Sequence, residues 1–132
     1  MLSQTSEYAL RIMAFLAGQP AEVPVPAVAM KGKVRVPANY LSKILNQLTR
    51  SGVLISTRGR TGGFRLTRPA DRIVLCDVVA PFEPAGTKAR CVLGRSRCSN
   101  AAPCTAHARW RELSMAREHF LSDTTVEDVA SY

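Results

Sequence analysis

Residues 37 to 67 read PANYLSKILNQLTRSGVLISTRGRTGGFRLT, and this stretch limits the fold more tightly than any other part of the chain. Pro37 suits the first turn of a helix on which Tyr40, Leu41, Ile44, Leu45 and Leu48 recur at helical spacing, with Gly52 after its end. A shorter helical pattern precedes it, with Pro26 in its first turn, Val25, Val28 and Ala29 as its apolar residues and Gly32 as its stop. Two helices joined by a few residues, the second carrying Asn39, Ser42, Lys43, Asn46 and Arg50 on its open face, make a helix-turn-helix pattern. An ordinary helical hairpin with a solvated face would share it. The residues after Gly52 separate the two readings: strand-like runs at 53–56 and 64–67 flank a loop holding Arg58, Gly59, Arg60, Gly62 and Gly63. A hairpin with a basic, glycine-rich tip directly after such a helix reads as a wing, whose arginines can reach phosphates or a minor groove.

The spacing therefore predicts a mainly α fold with a small β-hairpin wing. Asn39, Ser42, Lys43 and Asn46 are expected to face a major groove, and Arg58, Arg60 and Arg65 to hold phosphate or the minor groove. Charge is distributed to match. Between residues 31 and 72 ten bases stand against one acid, Asp71, for a net +9, while the rest of the chain has eight bases and nine acids. A net +8 alone would fit any anionic partner; its concentration in the helix-turn-helix and wing points to double-stranded DNA.

With 132 residues the chain has room for one domain plus an appended element. The first helix is expected from Ser3 or Thr5 as N-cap to Gly18, with Tyr8, Leu10, Ile12, Met13, Phe15 and Leu16 as its apolar face. A short helix carrying Cys76 follows Arg72 and ends at Pro81 and Pro84; Cys76 lies in an apolar run and reads as a small core residue. Residues 82–104 lack periodicity and read as a functional loop. The last long helix sets Trp110, Leu113, Ala116, Phe120 and Leu121 in a stripe, and Thr125 with Asp128 forms a capping box for a final turn. The organisation predicted is a winged helix-turn-helix at 1–81, a cysteine-rich loop at 82–104 and a dimerisation helix with a terminal turn at 105–132. Trp110, Leu113 and Phe120 are expected to make a homodimer, since helix-turn-helix regulators usually read two half-sites.

No apolar run reaches membrane-spanning length and no signal-peptide order opens the chain, so the expected location is the cytoplasm, with no membrane partner. In that reducing compartment Cys91, Cys98 and Cys104, three cysteines within fourteen residues, read as metal or redox chemistry rather than as disulfides. With His107 they could bind zinc, although gaps of six and five residues are long for paired zinc ligands; a metal-free thiol–disulfide switch is a further reading. An electron carrier is disfavoured, because its cysteines come in shorter runs and it has no need of a basic helix and wing. Catalytic motifs are missing, and His119 on a charged helix face reads as solvated, so the chain is not expected to be an enzyme.

Together these segments resemble the IscR/NsrR family (Rrf-type) of winged helix-turn-helix, iron–sulfur-dependent transcription regulators. The residues that carry the resemblance are LSQTSEYALRIMAFLA at the start, VPANYLSKILNQLTRSGVLISTRGRTGGFRL in the middle, and the run of cysteines, histidine and tryptophan from Cys91 to Trp110. The resemblance implies a homodimer on pseudo-palindromic promoter DNA, responding to redox state, nitric oxide or iron–sulfur status. It also implies an iron–sulfur cluster on Cys91, Cys98 and Cys104, [2Fe–2S] in preference to [4Fe–4S]; thiolates are the soft ligands such clusters select. The six-residue first gap is longer than the family's five or fewer. For the fourth ligand, His107 matches the IscR position, while Glu7 matches an acidic position that NsrR-like proteins supply from the partner subunit and where IscR-type members carry a base. His107 is favoured, because a residue three past Cys104 leaves the same face of a helix.

Overall fold

The structure is a computed structural model that describes residues 2–83, 91–94 and 100–130. Helix α1 (Gln4–Ala17) starts at Ser3, whose extended backbone and Oγ, accepting from the Ser6 N–H at 3.2 Å, form the N-cap. Its apolar face, Tyr8, Ala9, Ile12, Met13 and Leu16, is buried. Helix α2 (Ala27–Met30) is a single turn, and α3 (Ala38–Arg50) buries Leu41, Ile44, Leu45 and Leu48. Between them Val34 and Val36 are buried and pin the turn of the helix-turn-helix. Strands β1 (Leu54–Thr57) and β2 (Gly63–Leu66) pair antiparallel, Leu54 opposite Leu66 and Thr57 opposite Gly63. A 3-10 turn (Ala70–Arg72) leads to α4 (Leu75–Val79), and α5 (His107–Asp123) and α6 (Val126–Ala130) complete the described chain. The fold is the mainly helical winged helix-turn-helix that the sequence predicts.

The hairpin is shifted by one residue at each strand from the predicted runs, and it has a third backbone partner. Val25 donates to the Phe64 carbonyl and accepts from the Phe64 N–H, each at 2.9 Å, so the segment before α2 is bonded to the wing. A Cβ on Gly63 would lie 2.4 Å from the Val25 backbone, and one on Gly62 would lie 2.2 Å from the Thr57 carbonyl oxygen. The two glycines of the predicted glycine-rich tip are therefore required for backbone approach. Through Val25 the wing is held in a fixed attitude to the helix-turn-helix.

The end of the chain returns to the same core. After α5, Leu75 donates to the Thr124 carbonyl at 2.9 Å and Val126 to the Ile73 carbonyl at 2.8 Å, which stitches residues 124–126 beside the start of α4. Val126 is then fully buried and α6 packs against α1. Thr125 and Asp128 cap α6 reciprocally: the Thr125 N–H and hydroxyl donate to Oδ2 of Asp128, and the Asp128 N–H donates to Oγ1 of Thr125. Residues 105–130 thus share the core of the winged domain. Its predicted stripe divides, Leu121 being buried while Leu113 and Phe120 are 62% and 55% exposed. Cys76, on α4, packs half-buried against the core.

An acid that no sequence pattern singles out joins three elements. Glu83 accepts from the Ser3 N–H at 3.0 Å and from the Ser6 hydroxyl through Oε1, while Oε2 lies 3.6 Å from Nη2 of Arg117 on α5. The Glu83 side chain is 12% exposed. Burial works against its charge and is the largest single influence, but the hydrogen bonds from Ser6 and Ser3 and the Arg117 charge together hold the carboxyl below its usual range. A carboxylate with a depressed folded-state pKa adds stability above the ordinary glutamate range, near about 4.3, and that contribution is lost as pH falls through the lower folded value. Glu83→Gln should therefore lower stability at neutral pH by about 1–3 kcal/mol and flatten the acid limb of a melting-temperature profile taken between about pH 3 and 7. A variant with the acid limb of the parent would remove Glu83 from this role.

Candidate nucleic-acid interface and metal centre

Helix α3 divides cleanly, since its four buried leucine and isoleucine residues face the core and Asn39, Ser42, Lys43, Asn46 and Arg50 are all exposed. The helix contains no acid. At its first turn Tyr40 packs against Tyr8 of α1, ring centroids 5.8 Å apart, and the Arg11 guanidinium lies 5.6 Å from the Tyr8 ring centroid. The tilted ring pair fixes the start of α3 on α1, and the Arg11 guanidinium keeps a cation beside it. A side chain entering a groove from α3 would therefore bring amides, a hydroxyl and ammonium or guanidinium groups, the donor and acceptor set used on base edges.

Arg58 and Arg60 are exposed between the two strands, with Gly59 at φ 106° giving the loop its reversal. Arg65 differs from them. It lies on β2 opposite Ile55, half-buried along a groove of about 260 Å³ between the wing and the end of α1. Its guanidinium is presented from the sheet rather than from the tip. Arg68 serves the structure, donating to the Arg72 carbonyl at 2.9 Å and to Oδ2 of Asp77 at 3.0 Å.

Of the four residues proposed as metal ligands, Cys98 lies outside the described residues. Cys91 is buried, 7% exposed, and Cys104 is half-buried. Cys104 precedes α5: its carbonyl accepts from the His107 N–H at 3.0 Å, and His107 is the first residue of the helix. The two side chains therefore leave a single turn at the helix entrance, which corrects the expectation that both stand on one helical face. Nε2 of His107 is 2.8 Å from Oδ1 of Asn100, an oxygen that also accepts from Nη1 of Arg111. Trp110, one turn further, is half-buried. Glu7 is exposed in the first turn of α1, 4.0 Å from Nη2 of Arg11. Among the described residues no three His, Cys, Asp or Glu side chains gather as a metal site. The chemistry of the donors nonetheless suits iron and sulfide, with the Cys91 thiol shielded from water and Cys104 partly so.

The N-cap of α1 brings the two regions together. Ser3 and Ser6, on the turn that also bears Glu7, are bonded to Glu83, the last described residue before the cysteine-bearing segment. Position 83 follows the α4 helix beyond Pro81, where no periodicity or motif exists to mark it, and its partners Ser3, Ser6 and Arg117 reveal it.

Residues 2–132 match the Rrf2 family, described as "Iron-dependent Transcriptional regulator". A chain of Aquifex aeolicus, named as an HTH-type transcriptional regulator, is 33% identical over 132 residues, covering 98% of this chain and 90% of that one. The HTH-type transcriptional regulator IscR of Photorhabdus laumondii is 30% identical, covering 98% of this chain and 79% of that one. Among solved structures, CymR, the global cysteine regulator of B. subtilis, superposes with a TM-score of 0.81 at 26% identity over 100% of this chain and 97% of that one. T. potens IscR has the same fold, with a TM-score of 0.78 at 21% identity over 99% of this chain and 86% of that one. These relatives are named as regulators and not as enzymes, and no helix among the described residues is long and apolar enough to cross a membrane. With a winged helix-turn-helix whose basic open face is made for DNA, the chain belongs to the Rrf2 family of DNA-binding transcription regulators.

Proposed function

We propose that this regulator is a homodimer that senses redox state, nitric oxide or iron–sulfur status through a cluster held by Cys91, Cys98 and Cys104, with His107 as fourth ligand. The observation that carries the reading is the anchorage of the cysteine segment at both ends on the DNA-reading core. Glu83 bonds its start to the N-cap of α1, and α5, which begins at its end, returns through Thr124 and Val126 to α4. The family's description as iron-dependent and the relatives named IscR support a cluster there. Such a cluster, when bound, supplies a redox-active group that oxygen and nitric oxide can modify. The chain's own part is to shield the thiols, as burial of Cys91 does, and to pass any rearrangement of the segment to α1 through Glu83. His107 can ligate through Nε2 only by giving up its present contact with Asn100.

The likeness to CymR favours a second reading, in which Cys91, Cys98 and Cys104 form a metal-free thiol switch. A structural zinc on the same residues is the third. Reconstitution with iron and sulfide separates these, and ligand variants place the fourth bond. His107→Ala should change the absorption spectrum and shorten the lifetime of the reconstituted cluster, while Glu7→Ala leaves both nearly intact. A silent His107→Ala with a disrupted Glu7→Ala cluster would transfer the ligand to α1.

Dimerisation is assigned to α5, where Leu113 and Phe120 are exposed two turns apart on the stripe that half-buried Trp110 begins. Leu113→Glu should give monomers in analytical ultracentrifugation and a collapse of affinity for a two-half-site operator, with α3 untouched. A dimeric Leu113→Glu protein would place the interface elsewhere. On the DNA side, Arg60→Ala should weaken binding to every sequence and reduce the salt slope by about one, whereas Asn39→Ala or Ser42→Ala should relax sequence preference. An Arg58/Arg60 double variant with the parent's salt dependence would exclude the wing from the interface.

A further inference from the structure

A second basic surface lies outside the open face of α3 and the wing. Arg11 of α1 and Lys33 and Arg35 of the turn between α2 and α3 line a concavity of about 390 Å³ together with Gly18 and Gln19, with no acid among its described lining residues. The turn is built to present them. Val34 and Val36 are buried on either side of Arg35, so the side chains of Lys33 and Arg35 are directed away from the core, and both residues are exposed. Arg35 has φ 52°, a conformation in which a residue with a Cβ is disfavoured and glycine is the usual occupant. Its carbonyl accepts from Nη1 of Arg11 at 3.0 Å, which locks the Arg11 guanidinium against the turn. Among the described residues the acid paired with Arg11 is Glu7, which stands off at 4.0 Å in an exposed pair of little strength.

The place of this surface gives it a partner. Arg11 lies over Tyr8, Tyr8 packs on Tyr40, and Tyr40 is in the first turn of α3, so the basic concavity borders the end of α3 that enters a groove. Helix α3 also begins without a capping side chain, which leaves the positive end of its dipole on the same side. We propose that Arg11, Lys33 and Arg35 form a phosphate site that holds a backbone phosphodiester of the DNA, flanking the bases read by α3. This rests on α3 being the recognition helix, and it adds a second clamp to that of the wing. A phosphodiester offers two unesterified oxygens to a fork of guanidinium donors, and Lys33 adds a point charge. The non-glycine residue at φ 52° is then explained, since the strain is tolerated in exchange for a cation at that position.

The test uses Arg35→Gly with Lys33→Gln. Arg35→Gly removes a charge and relieves the positive φ, so thermal stability should hold or rise while DNA affinity falls, two changes of opposite sign that a merely structural residue would not give. Binding of the full-length protein to a mixed-sequence duplex of about 30 base pairs, titrated across chloride concentration, should show the slope of log K against log salt reduced by about one in the double variant. Inorganic phosphate, titrated at matched ionic strength, should bind parent and variant equally weakly. An unchanged slope overturns the proposal, and if the variant has also lost millimolar phosphate binding, the site belongs to a free anion. The Arg58/Arg60 variant, measured alongside, keeps the two readings apart. A reduced slope there with none in the Lys33/Arg35 variant rejects this site alone, and a parent that fails to bind duplex rejects the DNA interface and this site together.

Discussion

Helix α1 must bury Ile12, Met13 and Leu16 on neighbours that come from opposite ends of the chain, and the rest of the structure depends on that requirement. Full burial of each such side chain is worth roughly 1.5–3 kcal/mol, so α1 holds its position only when α3, α4 and α6 all close on it. The recognition helix is thereby fixed by its contact with α1 at Tyr8 and Tyr40, and α4 and α6 by backbone bonds between 73–75 and 124–126. A displacement at the start of α1 is then shared with α3 because the packed core resists deformation. The N-cap of α1 is where the cysteine-bearing segment takes hold, through one carboxylate.

That carboxylate illustrates why the fold is more legible in the sequence than its connections are. The helix starts, the capping box at Thr125 and Asp128, the hairpin and the apolar faces of α1 and α3 are local features, carried by residues within a turn or two of one another. The Val25–Phe64 bridge is a single pair almost forty positions apart, and the Val74–Thr125 bridge spans about fifty. Neither leaves a periodic trace. Glu83 meets Ser3 across eighty residues, and nothing around it distinguishes it from a solvated acid. Gly62 and Gly63 read from sequence as part of a glycine-rich hairpin tip, whereas their need arises from the closeness of the Val25 and Thr57 backbones.

The candidate sites divide in the same way. The polar face of α3 is readable because the apolar residues define its complement, and Asn39, Ser42, Lys43 and Asn46 are exposed as that complement requires. The entrance to α5 is harder, since a helix boundary is uncertain by a residue or two from sequence and the geometry of Cys104 and His107 turns on that boundary. Within the basic third of the chain, charge alone does not separate functions: Arg68 is spent on Asp77 and Arg72, Arg65 is braced on the sheet, and Lys33 and Arg35 project from the turn. Backbone conformation makes the distinction, with φ at Arg35 as the clearest instance.

The central claim is that the cysteines hold an iron–sulfur cluster, and composition after anaerobic purification tests it most directly. Iron and acid-labile sulfide measured together with zinc and the visible absorption spectrum should give iron and sulfide in equal amounts, little zinc and a charge-transfer band that disappears when Cys91 or Cys104 is replaced by Ala. Stoichiometric zinc without sulfide, or a colourless protein with titratable thiols and no metal, would contradict that claim.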